Sequence, residues 1–293
     1  MAKVAVIFST YNSASYVEEC LRSCLEQNDQ DLVVIVADDG STDNTIQVMQ
    51  QAAQGYTNFH LIPLPHGERG IARATAIALA KELAAEYLYV IDSDMVMQPN
   101  LIRDCLSYFA ENPSVGALII PEKAYTTYDN YFSHVKVFER NIINNGGEEV
   151  GLNSIEAARF WRVSEYEKSG GISEKQIAFE ETQPTIRYLE LGGVIKRATF
   201  TGVLHNEKYV TLKNILEKKR YYFSVMDKTL NEEKQGFTKA LSRWYFFRSV
   251  LYRPSNLVEY VKHPLLTGGM FFMYVALTSV GVFELGKSIL NKR

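Results

Sequence analysis

Two carboxylates, Asp92 and Asp94, end an apolar run in the segment EYLYVIDSDMVMQPN. Carboxylates this close together repel each other unless a cation lies nearby. Their oxygen atoms suit Mg²⁺ or Mn²⁺, and these ions in turn hold the oxygens of a phosphate group. An acidic pair after a strand can also be a solvated turn, so the rest of the chain has to decide between the two interpretations.

Two more polar clusters follow apolar runs earlier in the chain. Ser-Thr-Tyr-Asn at residues 9–12 comes after KVAVIF, and Asp-Asp-Gly-Ser at residues 38–41 comes after DLVVIVA. Ligands bind at the carboxyl ends of the strands in a parallel sheet, so we expect all three polar clusters at one edge. The segment ADDGSTDNT alone could also be a helix start, with Asp43 in the first turn.

The elements that must position these clusters alternate along the first 121 residues. Strands are expected in KVAVIFS, DLVVIVAD, NFHLIPL, EYLYVID and VGALIIP, and helices in SASYVEECLRSCLEQ, GSTDNTIQVMQQAA and RGIARATAIALAKELAA. This order predicts an α/β fold with a mostly parallel sheet and helices on both faces. Ser13 is expected to cap the first helix.

Cysteine spacing and glycine motifs narrow the class of protein. Cys20, Cys24 and Cys105 form no even framework, which predicts small buried side chains in a reducing cytosol. No Gly-x-Gly-x-x-Gly follows the first strand, and no Gly-x₄-Gly-Lys-Ser/Thr occurs, so two common nucleotide folds are excluded.

Charge is distributed unevenly along the chain. Residues 205–293 hold 15 Lys and Arg against 7 Asp and Glu, a balance of +8, whereas residues 1–204 have a balance of −11. The basic final third therefore suggests an anionic partner for that part of the chain.

Four ordered segments carry a resemblance to a known family. VIFSTYNSASYVEECLRSCLEQ, VVIVADDGSTDNT, RGIARA and YLYVIDSDM resemble, in that order, the family 2 glycosyltransferases. Members of this family are inverting, metal-dependent enzymes that use nucleotide sugars and have the GT-A (Rossmann-like) fold. The resemblance covers residues 3–225 and implies a catalytic domain at 1–225, with a nucleotide-sugar half (1–121) and an acceptor half (122–225). Residues 226–293 would form a helical, membrane-associated region.

The resemblance assigns roles on the donor side. The metal, Mn²⁺ or Mg²⁺, would be held by Asp94 and His205, with Asp92 near the ribose or in the outer shell. Spacing alone favours a surface role for His205, and only the family position favours a ligand. The remaining residues expected to bind the nucleotide sugar are Thr10, Tyr11, Asn12, Asp38, Asp39, Arg73 and Ser93, with Arg73 at the donor phosphate.

The catalytic base is expected in the segment FWRVSEYEKSGGISEKQIAFEETQPTIRYLELGG. An inverting transfer needs one carboxylate to take the proton of the acceptor hydroxyl. The resemblance places this base at Glu181, with Glu180 as second choice. This chain departs from the family pattern here, since it has GGISE for Gly-Gly-Phe-Asp-Glu and a Glu pair for Glu-Asp.

Acceptor contacts are expected from Trp161, Arg187, Lys218, Lys219, Arg220, Tyr221 and Tyr222. Trp161 could equally be a core residue. The segment 218–222 could be a solvated helix face, or its cations could hold a phosphate on the acceptor.

The end of the chain suggests a membrane. RWYFFRSVLYR interleaves arginines with aromatic residues, as interfacial helices do, and residues 264–283 carry no charge. This run could span the bilayer, lie as a hairpin in one leaflet or pack on the domain. We expect attachment at the cytoplasmic face of the cell membrane, with a UDP- or GDP-sugar as donor and a lipid-linked acceptor.

Two other classes remain open on sequence alone. One is a membrane-bound nucleotide-binding module without catalysis, which the intact acidic pairs argue against. The other is a nucleic-acid binder, which we do not expect because the basic and aromatic residues lie on predicted helices beside an apolar segment.

Overall fold

A computed structural model describes residues 3–27, 31–67, 69–147, 156–172, 182–220 and 245–291 of the chain. The chain divides into two compact units, of which the first is Met1–Lys123 with Gly147–His205 and the second is Ala124–Gly146 with Asn206–Arg293. The predicted catalytic domain (1–225) and membrane-associated region (226–293) stay a prediction. A helix from the middle of the chain packs on the C-terminal helix in the second unit, so neither compact unit is continuous in sequence.

The strands, numbered along the chain, are β1 (Val4–Thr10), β2 (Leu32–Asp38), β3 (Phe59–Pro63), β4 (Tyr87–Val90), β5 (Met95–Met97), β6 (Val115–Ile119), β7 (Glu122–Tyr125), β8 (Arg159–Arg162), β9 (Val194–Arg197) and β10 (Val203–Asn206). A seven-stranded sheet in the order β3-β2-β1-β4-β8-β6-β9 forms the centre of the first unit. Only β8 is antiparallel to its two neighbours in this sheet, and the other described pairings are parallel. The predicted α/β fold with a mostly parallel sheet is confirmed.

The helices before residue 200 are α1 (Val17–Leu25), α2 (Thr45–Ala52), α3 (Arg69–Glu82), α4 (Leu101–Glu111), α5 (Tyr131–Asn144), α6 (Val163–Lys168) and α7 (Thr182–Glu190). Residues 212–220 are also helical. Two short 3₁₀ segments (Tyr245–Phe247 and Ser249–Tyr252), a helix at Pro254–Lys262 and a long C-terminal helix at Pro264–Asn291 follow.

The large sheet has a hydrophobic core on each face, as the continuous apolar runs predict. In β1, Val4, Val6 and Phe8 pack into one core, whereas Ala5 and Ile7 pack into the other. All these side chains are buried, which is the pattern of parallel strands covered by helices on both sides. The three cysteines are free and buried, as predicted.

Helix α1 begins later than the sequence predicts. Its first residue is Val17, and the capping position is Tyr16, whose side chain makes no cap hydrogen bond. Ser13 instead accepts hydrogen bonds from the backbone N–H groups of Tyr16 and Val17 through its carbonyl oxygen. Its hydroxyl lies 3.2 Å from the carbonyl oxygen of Tyr11. The predicted cap at Ser13 is therefore wrong, because this residue closes the loop that precedes the helix.

The second unit is built around α5 and the C-terminal helix. Apolar side chains from the two helices form its core: Val135, Phe138, Ile142, Met270, Met273, Tyr274 and Leu277. A Cβ atom at Gly269 would lie 2.7 Å from the side chain of Val135, so the close approach of the helices depends on glycine there.

The opposite face of the C-terminal helix is apolar and exposed. Leu265, Phe272, Val275 and Val282 are 80%, 58%, 55% and 63% exposed. The stretch Pro264–Glu284 has 21 residues with a mean hydropathy of 1.7 and is long and apolar enough to cross a membrane. It lies within one continuous helix, so the chain does not form the hairpin that was one of the predicted alternatives.

Candidate functional site

The ends of β1 and β2 are joined by hydrogen bonds at the carboxyl edge of the large sheet, here called the rim. The Thr10 hydroxyl donates to Asp38 Oδ1 at 2.9 Å, and the backbone N–H of Asp39 donates to the Thr10 carbonyl at 2.8 Å. Asp38 is fully buried and also accepts bonds from the backbone N–H and hydroxyl of Ser41. Asp38 therefore shapes the loop after β2, whereas the neighbouring carboxylate of Asp39 lies closer to the rim surface.

Asn12 ties the first polar cluster to the second. Its φ angle is +48°, a left-handed conformation that asparagine tolerates better than most residues. Its side-chain oxygen accepts a bond from the N–H of Thr42 at 2.9 Å, and its own N–H donates to the Ser41 hydroxyl at 2.9 Å. The structure thus brings residues 9–12 and 38–43 together, as the sequence predicts.

An aromatic pair lies beside Asp39. The ring of Tyr11 stacks on His66 with centroids 4.2 Å apart and planes at 16°. His66 Nδ1 lies 3.2 Å from Asp39 Oδ2, and the N–H of Gly67 donates to Asp39 Oδ1 at 2.8 Å. Flat rings next to a carboxylate acceptor match the needs of a nucleobase, which stacks and donates N–H groups. The sequence analysis missed His66, although its position just after β3 puts it at the same edge.

Gly40 allows this loop to approach His66. Its φ angle is +71°, and a Cβ atom there would lie 2.5 Å from the backbone nitrogen of His66. Any other residue would be strained in this conformation and would also clash with backbone, which cannot move aside cheaply.

Asp92 lies at the end of β4 and pairs with Arg73 of α3. The guanidinium is 1% exposed, and the Asp92 side chain is 18% exposed. The predicted contact of Arg73 with a donor phosphate stays a prediction, and in this structure Arg73 neutralises and orients Asp92. Ser93 follows in the turn before β5 and is half-buried.

Asp94, His205 and Glu122 form a line of polar side chains beside the rim. The register of β5 and β10 places His205 opposite Met95. His205 Nε2 lies 3.6 Å from Asp94 Oδ1, and Nδ1 lies 3.0 Å from Glu122 Oε2. A carboxylate only accepts hydrogen bonds, so in the neutral ring Nδ1 carries the hydrogen and the Nε2 lone pair points towards Asp94.

This arrangement fits a divalent ion. Ligand atoms lie about 2.1 Å from Mg²⁺, so two ligands of one such ion are at most about 4.2 Å apart. The 3.6 Å separation between Asp94 Oδ1 and His205 Nε2 meets that limit. A carboxylate behind a metal-binding histidine is the usual means of fixing its ring. Within the described ranges no group of three His, Cys, Asp or Glu side chains could hold a metal, so such an ion would need further ligands from a substrate or water.

The predicted acceptor residues of the first unit pack inside it. Trp161 of β8 is 1% exposed and meets the ring edges of Tyr166 and Tyr188, which favours the core role that the sequence left open. Arg187 donates hydrogen bonds to the carbonyl oxygens of Ser169 and Gly171, so it fixes the loop after α6.

The predicted bases Glu180 and Glu181 lie outside the described residues, as do Tyr221 and Tyr222. Helix α7 begins at Thr182, directly after the glutamate pair. In the second unit Arg220 pairs with Glu284 at 3.1 Å.

Comparison with known families identifies the family of this chain. The family model described as glycosyl transferase family 2 matches residues 5–163, more than half of the chain. The chain belongs to glycosyl transferase family 2. The matched residues include the rim residues as far as Asp94, most of β1 and all of the strands β2–β8, whereas His205 lies beyond them. The resemblance inferred from the four sequence motifs is confirmed at the level of the family.

Named relatives of this family 2 chain are distant and longer. It is 24% identical over 241 residues to the chondroitin synthase of Pasteurella multocida. The aligned residues cover 79% of this chain and 23% of that protein. It is 28% identical over 152 residues to the poly(ribitol-phosphate) β-N-acetylglucosaminyltransferase TarP of Staphylococcus aureus, covering 50% and 45%. The chain spans only about a quarter to a third of the length of the synthases it matches.

Solved structures share the GT-A fold. The mannosyltransferase PcManGT of Pyrobaculum calidifontis, in complex with GDP-Man and Mn²⁺, superposes with a TM-score of 0.61 at 16% identity and covers 97% of this chain and 87% of that one. S. aureus TarS in complex with UDP-GlcNAc gives a TM-score of 0.56 at 18% identity, with coverages of 94% and 81%.

Proposed function

We propose that this chain transfers a sugar from a nucleotide-sugar donor to a hydroxyl group of an acceptor, with inversion at the anomeric carbon. The observation that carries the proposal is the rim of a family 2 chain, where Asp94 lies 3.6 Å from His205 and the ring of Tyr11 stacks on His66 beside Asp39. A nucleotide has a flat base at one end and a diphosphate at the other. The rim offers an aromatic and carboxylate group for the first and a metal-binding pair for the second.

The donor is a UDP- or GDP-sugar. TarS was solved with UDP-GlcNAc and PcManGT with GDP-Man, so the shared fold accommodates both nucleotides in those proteins. Tyr11 is 45% exposed and can offer its face to the base, while Asp39 accepts a base N–H. Thr10 and Asn12 then line the ribose side.

Asp94 and His205 would hold Mn²⁺ or Mg²⁺, with Asp92 oriented by Arg73 next to them. The mixed oxygen and nitrogen ligands favour Mn²⁺, because Mg²⁺ prefers oxygen ligands alone. The bound ion would stabilise the negative charge of the leaving nucleoside diphosphate. Glu122 keeps His205 aimed at this position.

Glu181 acts as the base that takes the proton of the acceptor hydroxyl, with Glu180 as the alternative. One positioned carboxylate suffices, because the attack occurs on the face opposite the leaving diphosphate. The role rests on the family pattern, and the neighbouring Arg187 supports it by fixing the Gly-Gly loop that precedes the pair in sequence.

The acceptor is a growing cell-surface glycan, and a lipid-linked saccharide or polyprenyl phosphate is the form we favour. Two relatives are named for polymers that carry phosphate, the TarP enzyme above and a teichoic acid poly(glycerol phosphate) polymerase of Staphylococcus epidermidis. The basic final third of this chain is consistent with an acceptor of the same charge.

Attachment to the cytoplasmic face of the cell membrane completes the proposal. The C-terminal helix packs on α5 through one face and exposes apolar side chains on the other, which suits the bilayer interface. Removing the helix would also uncover the core of the second unit. The cleaner test is Phe272→Ser with Val275→Ser, which should release the protein from liposomes while leaving the packed face intact.

Hydrolysis of the donor tests the catalytic part. Full-length protein with Mn²⁺ and a panel of UDP- and GDP-sugars should release the nucleoside diphosphate slowly without acceptor. Binding of a donor without release, with or without membrane extract, would instead identify a nucleotide-binding module without catalysis.

A further inference from the structure

Charged side chains from three parts of the second unit gather around Glu139 of α5. Glu139 is 3% exposed and accepts hydrogen bonds from Lys136 Nζ at 2.5 Å and from the Tyr274 hydroxyl at 2.9 Å. Arg248 Nη1 lies 3.9 Å from Glu139 Oε1, the oxygen that also accepts the Tyr274 hydrogen bond. Burial alone would raise the pKa of Glu139, but Lys136 and Arg248 lower it to about 2. This carboxylate is therefore charged at every physiological pH.

Two lysines of the helix at residues 212–220 lie next to this group. Burial of the ammonium group, together with the charges of Lys136 and Arg248, lowers the pKa of Lys219 to about 8. Burial and the charge of Lys136 also lower the pKa of Lys218. Burial is the larger cause of both shifts, and the added effect of Lys136 shows that both lysines lie within reach of that cation.

The same group extends to the pair formed by Arg140 and Glu207, whose nearest atoms are 2.5 Å apart. Lys208 lies close enough for its charge to act on Lys218. We call the six basic residues the cation cluster: Lys136, Arg140, Lys208, Lys218, Lys219 and Arg248. Holding so many like charges together costs free energy, and an anion bound among them offsets that cost.

The cation cluster is open to a ligand. Lys218 exposes much of its side chain although its ammonium group is partly buried, and the side chains of Lys136 and Arg248 are 26% and 21% exposed. Lysine and arginine together are the usual partners of phosphate oxygens. The C-terminal helix contributes Tyr274 to this group and exposes apolar side chains on its other face. A ligand with a phosphate and a lipid tail matches both features.

We propose that the cation cluster binds the phosphate or diphosphate group of a lipid-linked acceptor. The inference rests on the proposed function, because it names the acceptor of that transfer. The cluster lies wholly in the second unit, so acceptor anchoring can be measured without donor or metal.

Vesicle binding by the full-length protein tests this proposal. The lipid arms are neutral phosphatidylcholine vesicles, the same vesicles with a polyprenyl diphosphate, and vesicles with phosphatidylglycerol at matched surface charge. We expect the wild type to bind the polyprenyl diphosphate vesicles best, and free pyrophosphate to compete. Lys218→Met and Lys219→Met should each weaken that binding by about tenfold or more, the worth of a charge-assisted hydrogen bond.

Two further variants test whether a loss of vesicle binding comes from misfolding or from a general change in surface charge. Lys213→Met removes an exposed charge from the same helix, and it should bind like the wild type. Lys219→Arg keeps the charge and should retain binding, whereas a misfolded protein would not. Unchanged affinity in Lys218→Met and Lys219→Met overturns the proposal, as does equal binding to phosphatidylglycerol vesicles. Donor hydrolysis by the wild type is scored separately, so failure of the proposed function is recognised independently.

Discussion

The two units of this chain carry opposite charge at their candidate ligand sites. The rim of the first unit is lined by carboxylates, and each has a partner near it: Asp38 with Thr10, Asp39 with His66, Asp92 with Arg73 and Asp94 with His205. The second unit gathers basic side chains around two buried glutamates, Glu139 and Glu207. The two proposals together give this chain one site for a cation and one site for an anion.

The difference between the two units follows the extent of the family match. The family model ends at residue 163, before the helix at 212–220 and the C-terminal helix. The matched part contains the rim residues as far as Asp94, where donor chemistry is expected, and the proposed metal ligand His205 lies beyond it. Acceptor and membrane contacts are expected from the unmatched part, so related chains can share the first and differ in the second.

The largest effect is expected from the base. Glu181→Gln keeps the side-chain shape and removes the proton acceptor, so turnover should fall by about 10²–10⁴. Donor affinity, measured by calorimetry, should change little because the rim is untouched.

Glu180→Gln is the matched control for that variant. If turnover survives in Glu181→Gln and is lost in Glu180→Gln, the base is Glu180. If neither variant loses turnover, the glutamate pair is not the base. The proposed binding of donor and metal at the rim is not affected by that result.

Asp94→Ala should lower transfer by about 10²–10³, since it removes charge stabilisation at the leaving group. EDTA should stop the wild type, and Mn²⁺ should restore it. Asp129→Ala removes a fully exposed carboxylate and should have no effect. Full activity of the wild type in EDTA would contradict the metal role of the rim.

Glu122→Gln sharpens the comparison inside the first unit. It keeps an acceptor for His205 Nδ1 but removes the charge, so affinity for Mn²⁺ should fall about tenfold, the lower end for such supporting residues. Free Mn²⁺ measured by electron paramagnetic resonance, with UDP present, reports this directly. Exposed Glu111→Gln is the control, and equal affinity in both variants would remove Glu122 from the site.

The smallest effect concerns pH and the cation cluster. Lys219 has a pKa lowered to about 8, so it is charged below that pH and loses its charge as pH rises through it. Binding of polyprenyl diphosphate vesicles should therefore weaken by a few-fold between about pH 7 and pH 9. Within the part of the chain that the structure describes, the charged or titratable groups that act on Lys219 or contact Glu139 include Lys136, Lys218, Arg248 and Tyr274. Lys219→Arg should flatten this dependence, and an identical slope in that variant would assign it to another group.

The sequence predicted the rim well because its residues follow strands whose apolar runs are unambiguous. Thr10, Asp38 and Asp92 each lie within or next to the end of a strand, and parallel strands bring these ends together. Glu122 could not be found this way, because its contact with His205 depends on the pairing of strands far apart in the chain.

The packing partner of α5 escaped prediction for a similar reason. Residues 124–146 lie between elements of the first unit in sequence, yet α5 buries its apolar face against the C-terminal helix. Helical periodicity predicts that a face is buried and does not identify its partner. Trp161 shows a second limit of prediction from sequence. An aromatic residue that binds a ligand and one that packs in the core have the same sequence signature, and Trp161 is buried.

A donor screen read by product mass tests the central claim most directly. Purified full-length protein, Mn²⁺ and a membrane extract are incubated with each UDP- and GDP-sugar in turn. Transfer predicts a lipid-extractable product heavier by one sugar with one donor, release of the matching nucleoside diphosphate, and loss of both in Asp94→Ala. A donor that binds at the rim and is never cleaved, with no product in any reaction, would contradict the assignment of this chain as a glycosyltransferase.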